Sequence, residues 1–169
     1  MNVAFDPWIP VVDATGKRQR ASLLTILKEA KQFADLAVRP HERVSLMRLF
    51  LCVAHAALDG PKDYDEWCEV PHRLSDAAER YLLEWRDSFE LFHPEKPWLQ
   101  VAELRGVEKA GMVSGKTSPV ALLAFELATG NNSTLNDHGG QRTFRHIEPE
   151  QTALNLLTFQ NFSSGGGSP

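Results

Sequence analysis

The chain has 169 residues, 43% of them apolar, a formal charge of −4 and a pI near 5.9. That length fits one domain able to bury a core of its own. The acidic balance excludes the single-sign basic field of a free-standing nucleic-acid binder, so any such contact must be local. The two cysteines, Cys52 and Cys68, have no C-x-x-C partner. Neither a zinc ribbon nor a disulfide framework is suggested, and reduced thiols in a cytoplasmic protein are the expectation. The opening residues lack the basic and apolar regions of a signal peptide, and no apolar run approaches the length needed to span a bilayer, so no membrane partner is expected.

Val3 to Val12 alternates like extended chain, and Pro7 and Pro10 suggest sheet-edge positions because proline cannot donate to a central ladder. Asp13-Ala14-Thr15-Gly16 turns the chain, and Lys17, Arg18 and Arg20 follow on the return strand as either a solvated hairpin or a phosphate contact. Ser22 caps a helix reaching about Ala30, with Leu23, Leu24, Ile26 and Leu27 as its stripe. Pro40, Glu42 and Gly60-Pro61 frame a longer helix over 41–58 whose apolar residues cover more than one face, as expected of a central core helix. His55 within it reads as a core histidine. Two further helices are expected over 63–70 and 75–89, the second capped by Ser75 with a stripe of Ala78, Leu82, Trp85 and Phe89. Leu91 to Val101 is a proline-broken strap. Ser118-Pro119 starts a helix to Ala128, and Glu148-Pro149 starts a return helix with Ala153, Leu154, Leu156, Leu157 and Phe162 on its apolar face. The fold class is therefore α+β, mostly helical, with a small N-terminal β-hairpin.

Between the last two helices lies Gly130 to Gly140, rich in asparagine, small hydroxyls and glycines, which are groups that bend sharply and present hydrogen-bonding atoms. It serves either as a connector or as a binding loop. Lys116, Arg142 and Arg145 flank it in sequence, and asparagine, threonine and loop amides are the groups that position phosphates and sugars. Gly115-Lys116-Thr117 is not a phosphate loop, since Ala110 stands where the motif needs glycine. Asp137, His138 and His146 fit no metal-ligand spacing, so no metal, cofactor or catalytic centre is expected.

Four blocks resemble one family: Phe5-Asp6-Pro7-Trp8-Ile9-Pro10-Val11, the strap Phe89 to Gln100, Ala128 to His138, and Leu157-x-Phe159-Gln160-x-Phe162 followed by Gly165-Gly166-Gly167. In that order they look like the N-terminal part of the large subunit, the CasA family, of the type I-E CRISPR Cascade complex. The resemblance implies a domain over 1–162 and a flexible Gly/Ser-rich end over 163–169. It implies a non-enzymatic, cytoplasmic subunit of an antiviral surveillance complex. Its partners would be the other Cascade subunits, crRNA through its 5′ handle, double-stranded target DNA recognised beside a protospacer-adjacent motif, and the Cas3 helicase-nuclease. Asn131, Asn132, Thr134, Leu135 and Asn136 become the nucleic-acid contacts, with Lys116, Arg142 and Arg145 as flanking phosphate contacts. Where that family often carries an aromatic, this chain has Asn136, which removes the roughly 1–3 kcal/mol that stacking on a base supplies. The alternative is a structural module that touches only neighbouring proteins. On either reading the family's motif-reading elements lie beyond Pro169, so this stretch alone is not expected to read DNA sequence.

Overall fold

Strand β1 (Ile9–Asp13) forms the middle of a three-stranded antiparallel sheet, between β2 (Arg18–Ala21) and β3 (Phe33–Leu36). The computed structural model describes residues 1–101, 108–109, 112–113, 123–124 and 146–162. The expected β1/β2 hairpin is present with the register Ile9↔Ala21 to Val12↔Arg18. Its turn rests on Gly16 at φ +86°, a conformation that suits glycine.

The placement of β1 corrects the expected edge position. Pro10 is tolerated centrally because of where its missing donor falls. Its carbonyl accepts from Ala37 N at 2.9 Å, so the absent N–H would point to the same side, beyond Val11↔Leu36, the last pair of the β1/β3 ladder. Only the reciprocal bond to Ala37 is forgone, at the end of the ladder. Strand β3 has no counterpart in the sequence reading, since its Phe-Ala-Asp-Leu buries neither face fully. It is held laterally by Arg43, whose guanidinium reaches both the Asp35 carboxylate and the Leu36 carbonyl.

Helix α1 (Leu23–Glu29) starts where expected, with the Ser22 hydroxyl accepting from Thr25 N at 3.0 Å, and passes through a 3₁₀ turn (Ala30–Gln32) into β3. Helix α2 (Pro40–Leu58) begins on Pro40 and ends on Asp59 and Gly60, both left-handed at φ 58° and 62°, whose amides return to the His55 carbonyl. It is not the central core helix the sequence suggested. Only Glu42, Ser45, Leu46 and Val53 are buried, while Val44, Met47 and Leu51 are about half exposed. His55 lies at the surface and is not a core histidine.

The two helices expected over 63–89 are one, α3 (Tyr64–Glu84), with Pro71 inside it. Asp63 caps its start by accepting from Glu66 N, and Ser75 is an interior residue, not a cap. Ala78 and Leu82 are fully buried as expected, but Trp85 is half exposed at the C-terminal end and Phe89 is buried from a separate 3₁₀ turn (Arg86–Phe89).

After the strap, β4 (Glu108–Lys109) and β5 (Met112–Val113) form a short antiparallel pair. Helix α4 (Pro149–Phe162) starts on the expected proline and packs on α2. Phe162, placed on its apolar face by the sequence, is half exposed. The core joins Val3, Trp8, Ile9 and Val11 to Leu23 and Ile26 of α1, Leu46 and Val53 of α2, Leu82 of α3, and Ala153, Leu154, Leu156 and Leu157 of α4. The architecture is α+β and mostly helical, with a small N-terminal sheet.

Candidate functional site

The candidate contacts Lys116, Asn131, Asn132, Thr134, Leu135, Asn136, Arg142 and Arg145 all lie outside the described residues, as does most of the helix expected over 118–128. The structure describes the two ends between which residues 125–145 run. On the incoming side Ala124 is buried and Leu123 packs against the core. On the outgoing side His146 Nε2 stands 3.4 Å from Glu148 Oε1, both exposed, and the chain enters α4 one residue later. Arg20 of β2 donates to Glu150 Oε1 at 2.9 Å, tying the first turn of α4 to the basic hairpin. Arg20 is thereby matched by a carboxylate, while Lys17 and Arg18 stay exposed on the same hairpin.

Three of the four sequence blocks meet in space. Asn2, 5% exposed, joins the first of them to the second. Its Nδ2 donates to the Arg86 carbonyl and to Glu90 Oε1, both at 2.9 Å, and its Oδ1 accepts from Ala4 N at 3.0 Å. Its own amide donates to Asp6 Oδ2, which sets the entry to the Phe5-Asp6-Pro7-Trp8 block. Val3 N donates to the Phe89 carbonyl and Leu91 N to the Met1 carbonyl, so the first residues of the chain pair with the start of the strap.

Trp8 and Trp98 then meet edge to face, with ring centroids 6.1 Å apart, and Trp8 Nε1 donates to the Val3 carbonyl at 2.7 Å. The bend after Phe92 is fixed by His93, whose Nδ1 accepts from both Glu95 N and Lys96 N. Further on, Gln100 Nε2 holds the Leu91 carbonyl at 2.7 Å and closes the strap on itself. Gln160 of α4 reaches the Leu99 carbonyl at 3.4 Å, which joins the third block to the second. Leu99 itself sits at φ 53°, a left-handed conformation that costs a leucine about 1–2 kcal/mol.

The strap is legible in the sequence, but Asn2 and Gln100 as its fasteners, and Arg20 as the tie to α4, are not. A lone asparagine at the second position carries no periodicity, and side chains reaching 88 residues away leave no local pattern. Glu42 is a similar case: it is buried and accepts from Arg39 N at 2.8 Å, beside a cleft of about 240 Å³ between β1, α2 and α4. Among the described residues no cluster of three or more His, Cys, Asp or Glu is placed to hold a metal ion, and every buried side-chain N or O has a partner. What the described residues build is a packed core with Ala124 buried in it and the start of α4 tied to the hairpin, together with outward-facing surfaces.

The model of the family described as CRISPR-associated protein Cse1 matches residues 2–168. The CRISPR-associated protein CasA/Cse1 of Thermus thermophilus is 37% identical over 169 residues, covering 98% of this chain and 32% of that protein. Among solved structures, Thermus thermophilus CasA (Cse1) superposes with a TM-score of 0.73 at 30% identity, covering 95% of this chain and 30% of that one. Cse1 from Acidimicrobium ferrooxidans gives 0.72 at 28% identity, with 94% and 28% covered. A chain of a CRISPR RNA-guided surveillance complex shares the fold, with a TM-score of 0.75 at 21% identity. The chain belongs to the Cse1 family. It spans about a third of the length of the relatives it matches.

Proposed function

We propose that this chain is the N-terminal part of the large, non-catalytic subunit of a type I-E Cascade in the cytoplasm, working with crRNA, the other Cascade subunits, double-stranded target DNA and the Cas3 helicase-nuclease. The observation that carries the reading is the family match over nearly the whole chain, joined to the convergence of three of its signature blocks on one packed base. That base holds both ends of the 125–145 segment: Ala124 is buried, and the start of α4 is pinned through Glu150 to Arg20. A polar segment on rigid supports suits contact with the crRNA 5′ handle and with duplex DNA at its entry point. Asn131, Asn132, Thr134, Leu135 and Asn136 are its contacts in this reading, with Lys116, Arg142 and Arg145 against phosphates.

A second reading, a structural module that meets only neighbouring proteins, draws support from the formal charge of −4 and from the pairing of Arg20 with Glu150. One experiment separates the two. The chain is added to a crRNA-loaded Cascade core lacking its large subunit, as wild type, as Asn131→Ala/Asn132→Ala/Leu135→Ala and as Arg142→Ala/Arg145→Ala. The nucleic-acid reading expects wild type to bind, the triple variant to lose about tenfold or more, and the arginine variant to lower the salt dependence of association. Wild-type binding that neither variant changes would leave the structural module as the function.

A further inference from the structure

The first half of α3 stands apart from the rest of the molecule. From Tyr64 to Asp76 no residue is buried, and only Glu66, Val70, Leu74 and Ser75 are partly covered. On its outer side Tyr64 is 77% exposed and Trp67 56% exposed, and Pro71 is exposed as well. These three are spaced i, i+3, i+7, which sets them along one stripe of a helix. The stripe runs toward a cleft of about 530 Å³ between the end of α1 and α3, lined on its apolar side by Leu27, Ala30, Pro71 and Leu74. Exposed tryptophan and tyrosine beside an apolar cleft are the side chains that dominate the centres of protein interfaces.

The charge around the stripe selects the partner. Over 59–76, Asp59, Asp63, Asp65, Glu66, Glu69 and Asp76 stand against Lys62 and Arg73, so this stretch carries as much net charge as the whole chain, −4, while Lys28, Glu29 and Lys31 line the cleft on its α1 side. Asp63 is committed to Glu66 N, and Glu66 to Lys62 N at 2.9 Å. Asp65 and Glu69, both exposed, hold no hydrogen bond or ion pair with the described residues. Phosphate backbones and a second copy of this face would both meet like charge there. We infer that the outer face of the first half of α3 docks a basic protein segment of another subunit, whose lysines and arginines meet Asp65 and Glu69 and whose apolar anchor seats between Trp67 and the cleft. The inference rests on the proposed membership of a multisubunit complex.

The test replaces Trp67 by the photo-cross-linker p-benzoylphenylalanine in the complete polypeptide. Trp67 is half exposed, so the core is untouched. The polypeptide is assembled with the crRNA-loaded complex, irradiated, and the adducts are sequenced by mass spectrometry. The expected result is an adduct with a Lys/Arg-bearing segment of another protein subunit, its yield reduced about fivefold by Asp65→Asn/Glu69→Gln and by raising salt from about 0.1 to 0.5 M. Adducts to nucleic acid, to a second copy or to the polypeptide's own later segments overturn the inference, as does the absence of an adduct. A wild-type polypeptide that fails to co-elute with the complex overturns the functional reading and this inference with it. Co-elution without a cross-link overturns the inference alone.

Discussion

Asp13 gathers three hydrogen bonds on one carboxylate oxygen: from Thr15 N at 2.8 Å, from the Thr15 hydroxyl at 2.6 Å and from Lys17 N at 3.0 Å. The Thr15 hydroxyl above all, with the Lys17 amide, holds its carboxyl below the ordinary value of 3.8. A carboxylate whose folded pKa lies below its unfolded one favours the folded state above the unfolded value, and loses that contribution as pH falls through the folded one. The β1/β2 turn is therefore expected to weaken below about pH 4. Asp13→Asn should flatten the profile of the unfolding midpoint by lowering it at about pH 5 and above, with little change near about pH 2, where wild-type Asp13 is itself protonated. A wild-type profile as flat as the variant's would show that the turn owes nothing to ionised Asp13. This residue was legible in the sequence, because Asp-x-x-Gly states a turn locally. Leu99 was not: nothing in Pro97-Trp98-Leu99-Gln100 announces a left-handed leucine, which exists because Trp98 N is held by the Glu90 carbonyl and the Leu99 carbonyl by Gln160.

At the scale of elements, Pro71 divides what local rules read well from what they misread. A proline normally ends a helix, since it removes an N–H and crowds the carbonyl four residues back. The expected pair of helices, 63–70 and 75–89 with Ser75 as the second cap, leaves Pro71 between them. The flanking Glu69-Val70 and His72-Arg73-Leu74 contain no glycine or turn former, Asp63 supplies a good cap seven residues before Val70, and α3 runs on. Restoring the missing donor by Pro71→Ala is expected to stabilise the chain by about 1–3 kcal/mol in urea unfolding, the helix-propensity gain less what proline contributes by restricting the unfolded state. A loss of stability instead would mean that the ring packs usefully against the cleft beside α1. The same tension between local and tertiary signals explains α2. Its sequence is apolar nearly all round, so periodicity could not tell which faces the described residues cover, and Val44, Met47 and Leu51 are left half exposed.

At the scale of the whole molecule, the sequence blocks could be recognised but not their convergence. Long-range fasteners such as Asn2 to Glu90 and Gln160 to Leu99 join residues 88 and 61 positions apart, and no window of sequence contains both ends. The candidate contacts at 131–136 fall outside the described residues, so at that site the sequence reading stands as a proposal, whereas the base supporting it is described in full on the α4 side. The strap gives this base its sharpest test, since it carries two large aromatics of opposite fate. Trp98 is 6% exposed against Trp8, and Phe92 is 60% exposed. Trp98→Ala removes a buried indole and its edge-to-face partner and is expected to cost about 3–5 kcal/mol. Phe92→Ala should change stability by no more than about 0.5 kcal/mol. Paired urea titrations of the two variants read this directly. Because Trp98 ties the first residues of the chain to the strap, and the strap meets α4 through Leu99, its loss should also loosen the anchor from which the 125–145 segment emerges. Trp98→Ala is therefore expected to weaken association with a Cascade core even at temperatures where it remains folded, while Phe92→Ala does so only if that ring is itself a contact. Equal costs for the two substitutions would mean that the strap lies on the surface without organising it, and the convergence of the blocks would lose its bearing on the site.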